Sequence, residues 1–156
     1  MKIPQERLDV VLNEYIPDCR YLIRAKVDFP RAEGTFRIED TFYANPRTKL
    51  KHMTDIEAKF CLNQLCYAAF GEWVMEKRLE HFTTSFEEYL GLMHENVFII
   101  ESNIRFKRPI STGSPFNGVI EVKRIKRVGG LYLTFLDYVL ANGKSKGKIE
   151  AALKRN

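Results

Sequence analysis

His52-Met53-Thr54-Asp55-Ile56-Glu57, running into Ala58-Lys59-Phe60-Cys61-Leu62-Asn63-Gln64-Leu65-Cys66-Tyr67-Ala68-Ala69-Phe70, is the stretch whose reading decides the fold of this 156-residue chain. Thr54 and Glu57 have the Ser/Thr-x-x-Glu spacing of a capping box, in which a hydroxyl and a carboxylate satisfy the free N–H groups at a helix start. The helix that follows runs to about Arg78 and is apolar on nearly every side, which marks a buried helix rather than a surface one. It nevertheless carries the adjacent amides Asn63 and Gln64. Buried amides must find hydrogen-bond partners or cost stability. The segment predicts a central helix wrapped by other structure, with its polar N-terminal end aimed at something. Asn63 and Gln64 point to different sides of that helix. One is expected to tie it to a surrounding strand, the other to face a partner subunit.

Working outward, residues 6–14 carry a short helical pattern with Leu8, Val11 and Leu12 on one side. Tyr21 to Val27 reads as a strand, and Gly34 to Phe42 as a second, with Phe36, Ile38 and Asp40 alternating against Arg37, Glu39 and Thr41. Asn45-Pro46-Arg47 opens a polar loop. Ser85-Phe86-Glu87-Glu88 is a second capping box, opening an amphipathic helix through Met93. Four further strands follow: Val97 to Lys107, Phe116 to Arg127, Leu131 to Leu140 and Lys148 to Leu153. Gly129-Gly130 and Asn142-Gly143 stand at hairpin distances, so the last strands are expected to be antiparallel. Six antiparallel strands around one apolar helix make a single α+β domain over residues 1–156, the hot-dog arrangement. One such layer leaves a sheet edge and part of the helix uncovered, so a homodimer or higher oligomer is expected.

Composition is that of a soluble globular domain, with 45% hydrophobic and 29% charged residues. No apolar run is long enough to cross a bilayer, so no membrane partner is expected, and the N-terminus shows no signal peptide. Cys19, Cys61 and Cys66 are odd in number and lack metal-ligand spacing, which predicts a reduced, cytoplasmic setting. The net charge of +5 and pI near 9.1 favour an anionic partner. Basic residues gather in Arg105-Phe106-Lys107-Arg108, Lys123-Arg124-Ile125-Lys126-Arg127 and Lys144-Ser145-Lys146-Gly147-Lys148. Phe106 is the one aromatic in these clusters, too few for base stacking, so nucleic acid is not expected.

Five blocks in order resemble one family. They are Asp18-Cys19-Arg20-Tyr21-Leu22-Ile23; Gly34-x-Phe36-x-Ile38 with Tyr43; Cys61-x-Asn63-Gln64-Leu65-x-Tyr67-x-Ala69-Phe70; Arg105-Phe106-x-Arg108-Pro109; and Gly147-x-Ile149-Glu150-x-Ala152. Together they resemble the FcoT-like (type III) fatty acyl-CoA thioesterases, a hot-dog group, over roughly residues 11–153. The resemblance implies an acyl chain bound as a thioester of coenzyme A or an acyl carrier protein, in a tunnel at a dimer interface. It implies no metal and no cofactor. Two chemistries are assigned within the family: hydrolysis of long-chain acyl-CoA, and addition of glycine to a (2E)-enoyl thioester on a carrier protein, an early step towards isonitrile lipopeptides. The family site uses a tyrosine after the second strand, matched by Tyr43, and a tyrosine near the N-terminus, matched by Tyr15. Where the family has an asparagine ahead of the central helix this chain has Thr54, and the preceding loop, Pro46 to Lys51, is longer by a few residues.

A thioester carbonyl gains negative charge on attack, and N–H groups at a helix start are its natural stabilisers. The first-turn amides after Thr54 are therefore candidates, beside the structural role of Thr54 as a cap. Glu57 completes the box, and as a carboxylate near a buried helix end it suits base work. His52, two residues before the cap and where the family keeps a histidine, is placed for proton transfer; His81 and His94 stand near helix ends where exposure is expected. The Tyr43 hydroxyl could bind the thioester oxygen, the attacking water or an amine. Asn63 is the amide that could reach substrate across the subunit seam, although an architectural role fits either amide. Arg20, Arg105 or Arg108 could pair bidentately with a glycine carboxylate. Phe60, Tyr67, Phe70 and Trp73 are core aromatics that could line an acyl tunnel. No nucleophile-elbow pattern is present, and Cys61 and Cys66 lie deep in the helix. The leading expectation is hydrolysis of acyl-CoA or acyl-carrier thioesters. Glycine addition is the alternative, and a non-catalytic acyl-carrier binding module the second alternative.

Overall fold

A computed structural model describes residues 1–41, 43–45, 47, 49–79, 82 and 84–154. The elements are α1 (Gln5–Leu12), a single 3-10 turn (Pro17–Cys19), β1 (Leu22–Asp28), β2 (Arg31–Phe36), α2 (Asp55–Met75), α3 (Phe86–Asn96), β3 (Val97–Phe106), β4 (Phe116–Val128), β5 (Leu131–Leu140) and β6 (Ser145–Lys154). The six strands form one sheet in the order β1-β2-β4-β5-β6-β3, antiparallel throughout. This is the expected α+β arrangement of a sheet around one long helix. In β5 the buried positions Tyr132, Thr134, Leu136, Tyr138 and Leu140 alternate with half-buried or exposed ones, giving the sheet one face towards the core.

Helix α2 is the centre of that core. Fourteen of its residues are buried and they lie on every side, because the helix packs against α1, α3 and strands β1 to β4. Polar residues survive inside because they are satisfied. The Gln64 carbonyl accepts the Tyr21 and Leu22 backbone N–H groups at 2.9 and 3.0 Å, and its amide donates to the Cys19 carbonyl at 2.6 Å. Glu72, also fully buried, takes a two-pronged hydrogen bond from the Arg7 guanidinium of α1 at 2.7 and 2.9 Å. Of the two central amides, Gln64 is the one that ties the helix to the first strand, and Asn63 is half-buried.

Several boundaries differ from the sequence reading. The second strand was expected over Gly34 to Phe42, but its ladder spans Arg31–Phe36. Its partners decide this, since Leu22 and Phe116 both stand opposite Phe36 where the two pairings run out. Single hydrogen bonds continue the extended path, Arg37 to the Tyr21 carbonyl and Gly113 to the Ile38 carbonyl; Phe42 lies outside the described residues. Helix α2 ends at Met75 rather than Arg78. Lys77 turns left-handed at φ 56°, and the Arg78 N–H folds back onto the Trp73 carbonyl at 2.8 Å. Helix α3 runs past Met93 to Asn96 and passes directly into β3.

The two sheet edges are treated differently. Beside β1 the N-terminal residues add a partial strand: Lys2 bridges Lys26, Ile3 donates to the Ala25 carbonyl, and Val27 donates to the Met1 carbonyl. The outer side of β3 pairs with no strand among the described residues, and Phe98 and Ile100 stand on it 46% and 50% exposed.

Candidate functional site at the start of α2

The loop into α2 is pinned before the helix begins. His52 forms a backbone bridge with Ser111, Met53 donates to the Ile110 carbonyl at 2.8 Å, and Thr112 donates to the Lys51 carbonyl at 3.2 Å. That clamp delivers Thr54 as N-cap in extended conformation. Glu57 reaches back so that one carboxylate oxygen, Oε2, accepts the Thr54 backbone N–H at 2.8 Å. The outline of the capping box is in place, yet the Thr54 hydroxyl makes no side-chain cap hydrogen bond of ordinary geometry. Its close partners are Glu57 Oε2, at 2.5 Å, and the Tyr43 hydroxyl.

Tyr43, Thr54 and Glu57 thus converge. Tyr43 is 41% exposed and forms the outer end of the chain, while Glu57 is fully buried at the inner end. The second Glu57 oxygen, Oε1, is buried with no hydrogen-bond partner among the described residues. Burial, and then the neighbouring Glu57 carboxylate, pushes the Tyr43 hydroxyl up to about 12, so at neutral pH it is an intact O–H donor. One turn into the helix, burial and the same carboxylate push the Cys61 thiol well up, so it stays protonated and inert. The arrangement can accept a proton at Glu57 and offer an O–H from Tyr43.

The other expected site residues are distributed around this centre. The His52 side chain is exposed, and what the structure records for the residue is its backbone bridge. Tyr15 packs edge-on against Phe60 with centroids 5.8 Å apart, and burial pushes its hydroxyl up. Arg20 is exposed and donates to the Tyr15 carbonyl at 2.9 Å, so it braces the chain beside Tyr15. Arg105 stands exposed on edge strand β3, and Arg108 just beyond it donates its backbone N–H to the Lys144 carbonyl at 3.2 Å. His81 lies outside the described residues; His94 pairs with Glu14 at 2.8 Å. The basic run on β4 belongs to the opposite end of α2: Arg124 stacks over the Phe135 ring at 4.4 Å, and Arg78, just after the helix, lines the same groove as Arg124 and Arg127. The sequence reading did not single out Tyr21 as a site residue. It is buried beside this centre, packed edge-on against Phe60.

Comparison with known proteins identifies the family and the fold. The family model for an FcoT-like thioesterase domain matches residues 10–153. A (2E)-enoyl-[ACP] glycyltransferase of Mycobacterium marinum is 32% identical over 115 residues, 70% of this chain and 61% of that protein. The protein of the same name from Mycobacterium bovis is 30% identical over the same shares. The chain therefore spans less than two thirds of the length of these curated relatives. Among solved structures, a mutant thioesterase from Pseudomonas aeruginosa superposes with TM-score 0.60 at 12% identity, over 97% of this chain and 94% of that one. A sigma28-regulated virulence protein from Campylobacter jejuni does so with TM-score 0.59 at 11% identity, over 96% of each. At such identities these superpositions speak to fold alone, and the fold is the thioesterase hot-dog.

Proposed function

The chain belongs to the FcoT-like thioesterase family, and from that premise we propose that it is an enzyme acting on fatty acyl thioesters, with Glu57 as the base that readies the attacking nucleophile. One observation carries this reading. The Glu57 carboxylate is buried, held through one oxygen by the Thr54 N–H and hydroxyl, and at the other has no partner among the described residues. A fixed, desolvated acceptor of this kind suits proton abstraction. The Tyr43 O–H and the N–H groups of the first turn of α2 suit the oxygen where negative charge develops.

We favour glycine addition to a (2E)-enoyl thioester on an acyl carrier protein, because the curated relatives carry that name. Glu57 takes one proton from the glycine ammonium, and the freed amine forms a C–N bond at C3 of the enoyl chain. The alkene electrons move to the thioester oxygen as an enolate, which Tyr43 receives. C2 then takes the proton back from Glu57, and no group leaves.

A specific observation supports hydrolysis as the second reading. Arg20, Arg105 and Arg108, the expected partners of a glycine carboxylate, are all exposed, and Arg20 is committed to the Tyr15 carbonyl. Water needs no such partner. It would lose a proton to Glu57 and bond to the carbonyl carbon, and collapse of the oxyanion would expel a thiolate that takes that proton. Purified protein given carrier-bound 2-enoyl thioesters of varied length, with and without glycine, separates the readings by adduct mass against free thiol. Neither product at any length would sink both.

The open edge of β3, with Phe98 and Ile100 exposed, supports a homodimer seam, since the β1 edge is already covered. Three buried free cysteines support a reducing, cytoplasmic setting. No helix among the described residues is long and apolar enough to cross a membrane.

A further inference from the structure

We infer that Tyr21 is a second hydroxyl of the reaction centre, and that the attacking nucleophile sits between the Tyr21 hydroxyl and the Oε1 oxygen of Glu57. The inference rests on the reading of Glu57 as base and names where that base receives its proton.

The placement follows from helix geometry. Glu57, Cys61 and Gln64 are spaced i, i+4, i+7 and share one face of α2. The Tyr21 backbone is anchored at the far end of that face by its N–H bond to Gln64. Its ring packs edge-on against Phe60, with centroids 6.0 Å apart at 82°, and so lies along the helix towards the N-terminal turn that holds Glu57. The electrostatics agree: burial first, then the charges of Cys19 and Glu57, push the Tyr21 hydroxyl up, with Cys61 and Tyr43 contributing after them.

Within the described residues the polar group beside this hydroxyl is the Cys19 thiol, a weak hydrogen-bond partner. Tyr21 is 1% exposed and its oxygen has no other hydrogen-bond partner among the described residues. Glu57 Oε1 is in the same condition. Two buried polar atoms without hydrogen-bond partners are costly, and phenylalanine would pack as well as tyrosine against Phe60. A small molecule that both donates and accepts hydrogen bonds satisfies both at once. Water and a neutral amine each qualify: an O–H or N–H donates to Glu57 Oε1, and the Tyr21 hydroxyl takes up the remaining hydrogen bond. Thr54 and Tyr43 approach the same carboxylate through its other oxygen, so the nucleophile and the carbonyl would be served by separate hydroxyls.

Tyr21→Phe is the test, read in three ways. The variant is expected to keep or raise its melting temperature, because it removes only an unsatisfied hydroxyl. Its kcat on a carrier-bound enoyl thioester is expected to fall 10- to 100-fold, with the KM for that thioester unchanged. A crystal structure of the wild-type protein, free and soaked in glycine, is expected to place a water oxygen or the amine within hydrogen-bond distance of both Tyr21 and Glu57 Oε1. Wild-type turnover in the variant overturns the inference. So does a drop in melting temperature that matches the loss of activity, or a direct Tyr21–Glu57 hydrogen bond with nothing between. A wild-type protein that turns over no thioester would sink the proposed function instead, and the crystal and melting results would still decide whether this pair holds a small donor.

Discussion

The hydroxyl of Tyr43 is hydrogen-bonded to the hydroxyl of Thr54, linking the segment after β2 to the first residue of the buried helix. The chain contains a second capping box to set beside this one. At α3 the Ser85 oxygen accepts the Glu88 N–H at 3.2 Å, and Glu88 accepts the Ser85 N–H at 3.2 Å, on an exposed helix start. At α2 the same residue pattern forms the box, and its hydroxyl also meets Tyr43 and the Glu57 carboxylate. One motif starts a helix; the other also builds a chain of acidic and hydroxyl groups from surface to core.

Tyr43→Phe removes the outermost donor of that chain. Loss of one donor to a developing oxyanion costs about 100-fold or more in kcat in other enzymes. Tyr43 is 41% exposed, so the change should alter stability by no more than about 0.5 kcal/mol. Steady-state kinetics beside a melting curve checks this. Equal loss of both would make Tyr43 a structural residue.

Glu57→Gln is the sharper probe, because glutamine can still accept the Thr54 N–H as the third residue of a capping box. The fold should persist while proton abstraction is lost, with turnover down by roughly 10²- to 10⁴-fold. Retained turnover would remove Glu57 from the chemistry.

Much of this was legible in the sequence where the cause is local. The capping boxes, the strand alternation and the Gly-containing turns lie within a few residues of what they specify. What escaped depends on partners far along the chain. β2 ends at Phe36 because Leu22 and Phe116 run out opposite it. Glu72 is held by Arg7, 65 residues away, and Tyr21 is aimed by Gln64, 43 residues away. The left-handed Lys77 that closes α2 carries no glycine to announce it. The bridge that fixes the His52 backbone is likewise made to a distant residue, Ser111, and the histidine side chain is exposed.

Gln64→Leu should be among the most destabilising single changes in the chain. It would leave the Tyr21 and Leu22 N–H groups and the Cys19 carbonyl buried without partners. At about 1–3 kcal/mol for each of these three groups, the loss should reach roughly 3–9 kcal/mol in denaturant titration. A loss under about 1 kcal/mol would mean that the first strand is held by its ladder alone.

Stability should be lost on the alkaline side. Burial pushes the Cys66 thiol from its ordinary 9.0 to about 12 and raises Cys61 and Tyr89 well above their ordinary values. A raised folded pKa means that the fold favours the protonated form. The contribution is complete below the unfolded value and disappears as pH climbs through the folded one. The melting temperature should hold from neutral pH to about 9 and then fall, with Cys66 alone contributing about 1.4 kcal/mol per pH unit up to about 12. A flat profile to pH 12 would contradict the burial of these groups.

Gly147→Ala tests the edge strand and the dimer together. A Cβ at Gly147 would lie 1.8 Å from the Asn103 backbone oxygen, a distance no side-chain rotation can relieve. Gly147 stands opposite Ile104 in the β6–β3 ladder, so β3 must move away from β6 to admit the methyl group. β3 also carries the exposed Phe98 and Ile100 on the open edge. If that edge is the subunit seam, the variant should dissociate at concentrations where the wild type is dimeric, seen by sedimentation. Amide exchange over residues 103–106 should accelerate, while α2 remains protected. Lys148→Ala, one residue along and exposed, should change neither. A variant with faster exchange in β3 but unchanged association would place the seam elsewhere; no change in either would mean that β6 yields at Gly147 without disturbing its neighbour.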